Sequence, residues 1–254
     1  VWVYSNCDTV ELFFNGTSIG TDVPGTKWDE MQCDWMVPWT PGTLEAVGYK
    51  NGKEVARTSQ TTAGVPARLA LSVEGKTCPV ITVKQLDENG VMNPYAENRI
   101  HYHIDGPARI LSLESGNPVN VENNYGKTSR TAFFGLARAF LQTTSMDEPI
   151  AVVVGAICGE KQLMTSDRVS IDVQPLAIRG EGNPYDLEIL YSTDGSKPSA
   201  AYTTAFSVTP GTVVKADVLR GGKLLFSMEE RFGPDEGIYW GSPETEDDAD
   251  TPAP

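Results

Sequence analysis

Apolar and polar positions alternate with a period of two along most of the chain, which puts successive side chains on opposite faces of an extended strand. The stretch "TVELFFNGTSIGT" alternates on both sides of Asn15-Gly16. Asn-Gly is the strongest short hairpin signal, because both central residues of a type I′ turn need φ > 0. The same three residues, Asn15-Gly16-Thr17, match a glycosylation acceptor, but the turn accounts for them. "TLEAVGYKNGKEVARTSQTT" repeats the design around Asn51-Gly52, and between the hairpins lies "WMVPWTPG", where Pro38 and Pro41 mark a strand edge or end.

Gly64 and Pro66 punctuate a hinge, and a fresh alternating strand starts at Arg68. "VITVKQLDENGVMNP" predicts a strand, a turn at Asp87–Gly90 and another extended segment. "NRIHYHIDGPARILSLESG", "IAVVVGAIC" and "RVSIDVQP" supply further strands. "SRTAFFGLARAFLQTT" has the Ala, Leu and Arg content of a helix. Gly135 opposes a helix, so a strand is expected from about 136, with a turn of helix allowed before it. Beyond Leu176, "YDLEILYSTDGSKPSAAYTTAF" and "GTVVKADVLRGGKLLF" read as paired strands with turns at Asp194-Gly195 and Gly221-Gly222. This last unit is small for independent stability and is expected to lean on its neighbour. The expected fold is all-β, with three consecutive immunoglobulin-like antiparallel β-sandwich domains at 1–64, 65–174 and 175–240. Residues 241–254 are expected to form an acidic disordered tail.

The chain has 254 residues and a formal net charge of −14, five of the acidic residues lying in the last fourteen positions. Clustered Lys and Arg, which phosphate binding needs, are missing, so neither nucleic acid nor an anionic membrane is expected as a partner. No apolar run reaches the ~18 residues of a membrane helix. The chain starts inside a strand pattern and is read as a piece of a longer protein. Four cysteines, Cys7, Cys33, Cys78 and Cys158, form no CxxC pair, which argues against a zinc site. Cys7 and Cys33 fit neighbouring strands, either bridged or as free thiols.

Candidate chemistry is sparse. The two histidines, His101 and His103, fall on one face of a strand, and a solvent-facing strand is favoured over a metal pair because no third ligand is placed by sequence. Asp87, Glu88, Asp105 and Asp194 all sit in turns, where carboxylates cap their own backbone or stay solvated. The reading is therefore no catalytic residue, no metal and no cofactor. Aromatic residues are the better lead, since flat rings stack on the apolar C–H faces of sugars. Trp28 in "DVPGTKWDEMQ", Tyr125 beside Asn124 in "VENNYGKTS", and Trp240 in "EGIYWGSP" lie in polar, turn-rich contexts. These four residues are the candidate carbohydrate contacts. Trp35 and Trp39 read as core, Trp2 and Tyr4 as core or interface.

"VWVYSNCDTVELFFNGTSIGT" followed by "WMVPWTPGTLEAVGYKNGKEVARTSQTTAGVPARLAL" resembles the sandwich that follows the catalytic barrel in bacterial β-galactosidases of glycoside hydrolase family 2. Trp39 stands where that pattern has Tyr. The segment from "ITVKQLDENG" through "SGNP" to "RTAFFGLA" resembles the next C-terminal domain of the same enzymes. "ILYSTDGSKPSAAYTTAFSV" with "VKADV" is similar to the small C-terminal domain of chitobiases and β-hexosaminidases. The resemblance implies a non-catalytic accessory region of a periplasmic, secreted or outer-surface bacterial β-galactosidase. Its partner would be the upstream catalytic domain of the same polypeptide, and no family catalytic residue maps onto this chain. The alternative is a carbohydrate-binding module that takes an oligosaccharide on exposed Trp and Tyr.

Overall fold

The computed structural model describes residues 1–27, 30–145, 147–159, 168–179 and 186–233. Among them every regular element is a strand, and every pairing is antiparallel. Contacts divide the chain into two compact units, Val1–Ala63 and Gly64–Pro254.

The first unit holds β1 (Trp2–Tyr4), β2 (Thr9–Phe14), β3 (Thr17–Asp22), β4 (Gln32–Asp34), β5 (Thr43–Lys50) and β6 (Lys53–Thr61). A four-stranded sheet runs β3-β2-β5-β6, and β1 pairs only with β4. Val10, Leu12, Cys33 and Ala46 form its core, with Val3, Trp35, Val37 and Leu44 packed against them. The turns Asn15-Gly16 (φ 49°, 78°) and Asn51-Gly52 (φ 49°, 73°) have both central residues at positive φ, as a type I′ hairpin requires.

The second unit begins with β7 (Arg68–Glu74), β8 (Val80–Leu86), β9 (Arg99–Asp105), β10 (Ala108–Glu114), β11 (Ser129–Thr131), β12 (Leu136–Thr143), β13 (Ile150–Cys158) and β14 (Arg168–Arg179). Sheet β10-β12-β8-β7 faces sheet β11-β9-β13-β14. Between them lie Ile81, Val83, Ile100, Tyr102, Leu113, Leu141, Val152 and Val154, all at most 1% exposed. Each such aliphatic side chain stabilises the fold by roughly 1.5–3 kcal/mol through removal from water. The open edge is tied shut by polar bonds: the Leu69 amide donates to Asp172 Oδ2 (2.6 Å), and Ser170 Oγ donates to the Ala67 carbonyl (3.0 Å).

The strands β15 (Leu187–Ser192), β16 (Ala200–Ala201), β17 (Phe206–Ser207), β18 (Val213–Arg220) and β19 (Lys223–Arg231) complete the unit. They do not bury a core alone. Val214, Ala216, Val218, Met228 and Phe232 share one cluster with Ile157, Val169 and Ile171 of β13 and β14. The Tyr191 and Phe206 rings stack at 4.7 Å, and Tyr202 accepts a hydrogen bond from the Ile171 amide through its hydroxyl (3.1 Å). The small module thus leans on the larger sandwich, as its size requires.

The helix-like composition around 129–144 resolves as strands. Phe133 and Leu136 exchange backbone hydrogen bonds (2.9 and 3.0 Å) across Phe134-Gly135, whose φ values are 49° and 74°. This is a type I′ turn like those at Asn15-Gly16, Asn51-Gly52 and Gly221-Gly222, and no helical turn precedes β12. Residues 241–254, expected to form the acidic tail, lie outside the described residues.

Candidate functional site

Residues 115–128 join β10 to β11 as a long loop built from side-chain-capped turns. The amides of Val119, Glu122 and Tyr125 donate to Oδ1 of Asn117 (3.0 Å), Asn120 (2.7 Å) and Asn123 (3.0 Å). Asn side chains favour this local bond, which holds the backbone without regular pairing. Glu122 pins the loop to the sandwich. Its carboxylate accepts from Arg99 Nη2 (2.5 Å) and Thr131 Oγ1 (2.8 Å) and lies 3.6 Å from Nη1 of the buried Arg130. Burial acts to raise the Glu122 pKa. The Thr131 hydrogen bond and the Arg99 charge outweigh it, and the carboxyl sits below its ordinary value.

This loop carries two of the four candidate sugar contacts. Tyr125 is 68% exposed, and the half-buried Asn124 uses its carbonyl to accept from the Leu113 amide (2.9 Å). Trp28 and Trp240 lie outside the described residues.

His101 and His103 share a face of β9, but His101 does not meet solvent as its strand position predicts. Its ring lies parallel to Phe226 of β19, with centroids 6.2 Å apart and 6° between the planes. The last module covers that face, which the local alternation cannot reveal. Burial first, and then the Arg99 charge, depress the imidazole to a pKa of about 4. Among the described residues no three His, Cys, Asp or Glu side chains gather as metal ligands do.

The turn carboxylates are committed locally. Asp87, 2% exposed, accepts from the amides of Gly64 (2.8 Å), Asn89 (2.9 Å) and Val91 (2.8 Å). These bonds overcome the opposing effect of burial and lower its pKa. Asp194 caps Ser196, Glu88 pairs with Arg168 (2.5 Å) and Asp105 with Arg220 (2.6 Å). An open groove of about 820 Å³ lies between β9, the 195–198 turn and the outer face of β18–β19. On β18 and β19 its polar side chains form cross-strand pairs, Lys215 with Glu229 (3.7 Å) and Ser227 with Asp217 (2.6 Å), the usual dress of a solvent face.

In the first unit Trp39 departs from the expected core, and Trp2 and Tyr4, expected in the core or at an interface, lie at the surface. Trp39 is 81% exposed, and Trp2 and Tyr4 are 65% and 70% exposed. The ribbon β1–β4 turns Val3, not its neighbours, to the core, and Trp39 sits in an irregular segment between Pro38 and Pro41 that pairs with no strand. Met36, 98% exposed, stands beside them in sequence. Trp35 does pack against the core. The four cysteines are free thiols, so Cys7 and Cys33 are not bridged.

Comparison with known proteins fits these features into a family. Residues 1–56 match the domain of unknown function DUF4982, and residues 65–161 match glycoside hydrolase family 2 C-terminal domain 5. A putative beta-glucuronidase of Formosa agariphila is 45% identical over 97% of the chain. Beta-galactosidase BoGH2A of Bacteroides ovatus is 35% identical over 56% of it. The crystal structure of a beta-glycosidase from Bacteroides vulgatus superimposes on 70% of the chain with a TM-score of 0.59 and 29% identity. The chain spans 25%, 17% and 22% of these three proteins. The order of the two matched domains and the all-β architecture identify the chain as a C-terminal region of the glycoside hydrolase family 2 type.

Proposed function

We propose that this chain is a non-catalytic accessory region that supports and spaces an upstream catalytic barrel of a family 2 glycoside hydrolase. The observation that carries the reading is the bare aromatic surface of the first unit. Trp2 and Tyr4 on β1, and Met36 and Trp39 in the segment that follows its partner β4, are each at least 65% exposed, and this many bare large apolar side chains in a unit of this size supports a partner surface. The partner in this reading is the catalytic domain of the same polypeptide. The relatives are named for both glucuronidase and galactosidase activity, so the reading extends to a β-glycosidase and not to one sugar. It carries with it export to the periplasm or cell surface, which fractionation of the source bacterium would check.

The test uses the parent enzyme and the isolated chain, each assayed on 4-nitrophenyl β-galactoside and β-glucuronide. Turnover is expected from the parent and none from the chain. Replacing Trp2, Tyr4 and Trp39 by Ser should lower the Tm of the parent while leaving that of the isolated chain within a degree or two. Turnover by the chain, or an unchanged parent Tm, would reject the accessory role.

A second reading, oligosaccharide binding at Tyr125 and Asn124, is favoured by the way Glu122 and three Asn-capped turns hold that loop. It predicts that Tyr125→Ala weakens binding of a soluble glycan to the chain.

A further inference from the structure

The two-stranded ribbon pairs Trp2 with Asp34, Val3 with Cys33 and Tyr4 with Gln32. Its register carries one step past both strands. Val1 donates from its nitrogen to the Trp35 carbonyl (2.7 Å), and the Trp35 amide donates to the Val1 carbonyl (3.0 Å). Val1 and Trp35 are thus a hydrogen-bonded pair, and in an antiparallel ladder the next such pair lies two residues further on. On the β4 side that residue is Val37. Among the described residues neither its amide nor its carbonyl has a partner. Pro38 follows at a non-hydrogen-bonded position. An N–H there would point away from the partner strand, so its lack costs the ladder nothing.

Side chains keep the same alternation. Val3, Cys33, Trp35 and Val37 pack on the core, while Trp2, Tyr4 and Met36 are exposed. A residue paired with Val37 would therefore point inward. The sheet leaves room for it. On the core face of sheet β3-β2-β5-β6, Leu12, Ala46 and Thr58 form one cross-strand row and Phe14, Leu44 and Gln60 the next. Leu12 and Ala46 are buried, but Phe14 and Leu44 are only half-buried. That second row borders an open pocket of about 260 Å³, which Val1, Val37 and Trp39 also line. None of the lining side chains is ionisable.

We propose that in the parent polypeptide β1 continues upstream of Val1, pairs with Val37, and sets an apolar side chain, two residues before Val1, into this pocket. The inference rests on the accessory reading, in which a catalytic domain precedes this region. An upstream occupant accords with the matched C-terminal domain type and with a chain that spans 25% of the glucuronidase relative. The lining decides the chemistry: a charged side chain would lose its hydration there without finding an ion partner, whereas an apolar one is drawn in by removal from water. Size argues against an oligosaccharide, since about 260 Å³ falls below the ~300–1,000 Å³ of small-molecule sites. A paired strand also fixes the connection to the catalytic domain more tightly than a flexible linker would, as a spacing role needs.

The test uses the parent enzyme, with the exposed Cys78 changed to Ser. Met36→Cys together with a cysteine immediately before Val1 creates a non-hydrogen-bonded pair on the outer face, whose Cα separation of ~4.5 Å lies within disulfide reach. Mild oxidation, followed by mass spectrometry of the unreduced digest, should find that bridge about tenfold more often than when the upstream cysteine moves one residue further from Val1. Without any substitution, the Val37 amide should exchange its hydrogen at least about a hundredfold more slowly in the parent than in the 254-residue chain. No bridge, equal bridging at both upstream positions, or equal exchange of Val37 in parent and chain would overturn the strand. If replacing Trp2, Tyr4 and Trp39 by Ser still lowers the Tm of the parent in that case, the accessory role stands and the strand alone fails.

Discussion

The imidazole of His101 lies flat against the ring of Phe226, 6.2 Å between centroids, where β19 covers β9. Burial holds its pKa near 4, below the ordinary imidazole value of 6.5. The unfolded chain therefore binds a proton between pH 6.5 and 4 that the folded chain refuses. Stability is full above pH 6.5 and falls as pH drops through that window, by at most about 3 kcal/mol. Thermal melts at pH 7, 6, 5 and 4.5 should show a progressive loss. His101→Phe should flatten the curve above pH 4.5, and an equal slope in that variant would count against the assignment. Carboxylates with lowered pKa values, such as Glu122 and Asp87, lose their contribution at lower pH.

Gly135 and Gly16 occupy equivalent turn positions, at φ 74° and 78°, but differ in surroundings. A Cβ at Gly16 meets nothing within 4 Å, whereas one at Gly135 meets the Asn93 carbonyl at 2.3 Å. Gly16→Ala should cost about 1–2 kcal/mol from backbone strain alone. Gly135→Ala should cost clearly more, because the Met92–Ala96 turn must move as well. Urea unfolding of the two variants side by side checks the order, and equal losses would show that the second turn yields freely.

Glu122 bonds Arg99 and Thr131 and lies beside Arg130, whose side chain is only 5% exposed. Glu122→Gln should cost about 1–3 kcal/mol, since it leaves a buried guanidinium without its carboxylate. Hydrogen exchange should accelerate at Glu122–Tyr125 while β8 and β13 stay protected. Unchanged protection of the loop would mean that the Asn-capped turns hold it without the carboxylate.

Cys78 is exposed, while Cys33 and Cys158 are buried, and burial raises the thiol pKa of both buried residues. A thiol reagent at pH 8 should label Cys78 first. Cys33 and Cys158 should react only at the rate of unfolding. Rapid labelling of Cys158 would require an opening between the two sheets that the packing does not provide.

Much of the fold is legible locally. Asn15-Gly16, Asn51-Gly52 and Gly221-Gly222 each mark a hairpin where one is found. The period-two pattern locates strands such as Thr9–Phe14 and Arg99–Asp105, and a continuous apolar run locates Ile150–Cys158. The candidate site is far less legible. The sequence context of Tyr125 points to its exposure, but the same reasoning puts Trp39 inside and leaves Trp2 and Tyr4 between core and interface. Alternation says which residues share a face, not whether anything covers it. Phe134 escaped notice because Phe-Gly carries no hairpin signal. Only the backbone angle shows that a ring occupies a position suited to Asn.

The sequence by itself determined the main strands, their order, the Asn-Gly and Gly-Gly hairpin turns and the membership of the family, because each rests on neighbouring residues or short motifs. Tertiary structure alone decided which faces are covered: His101 beside Phe226, the last module sharing a core with β13 and β14, and the Met92–Ala96 turn bonded to the Phe134-Gly135 turn. Those outcomes depend on contacts between residues far apart in the chain, and a local pattern of apolar and polar positions holds no record of its distant partner.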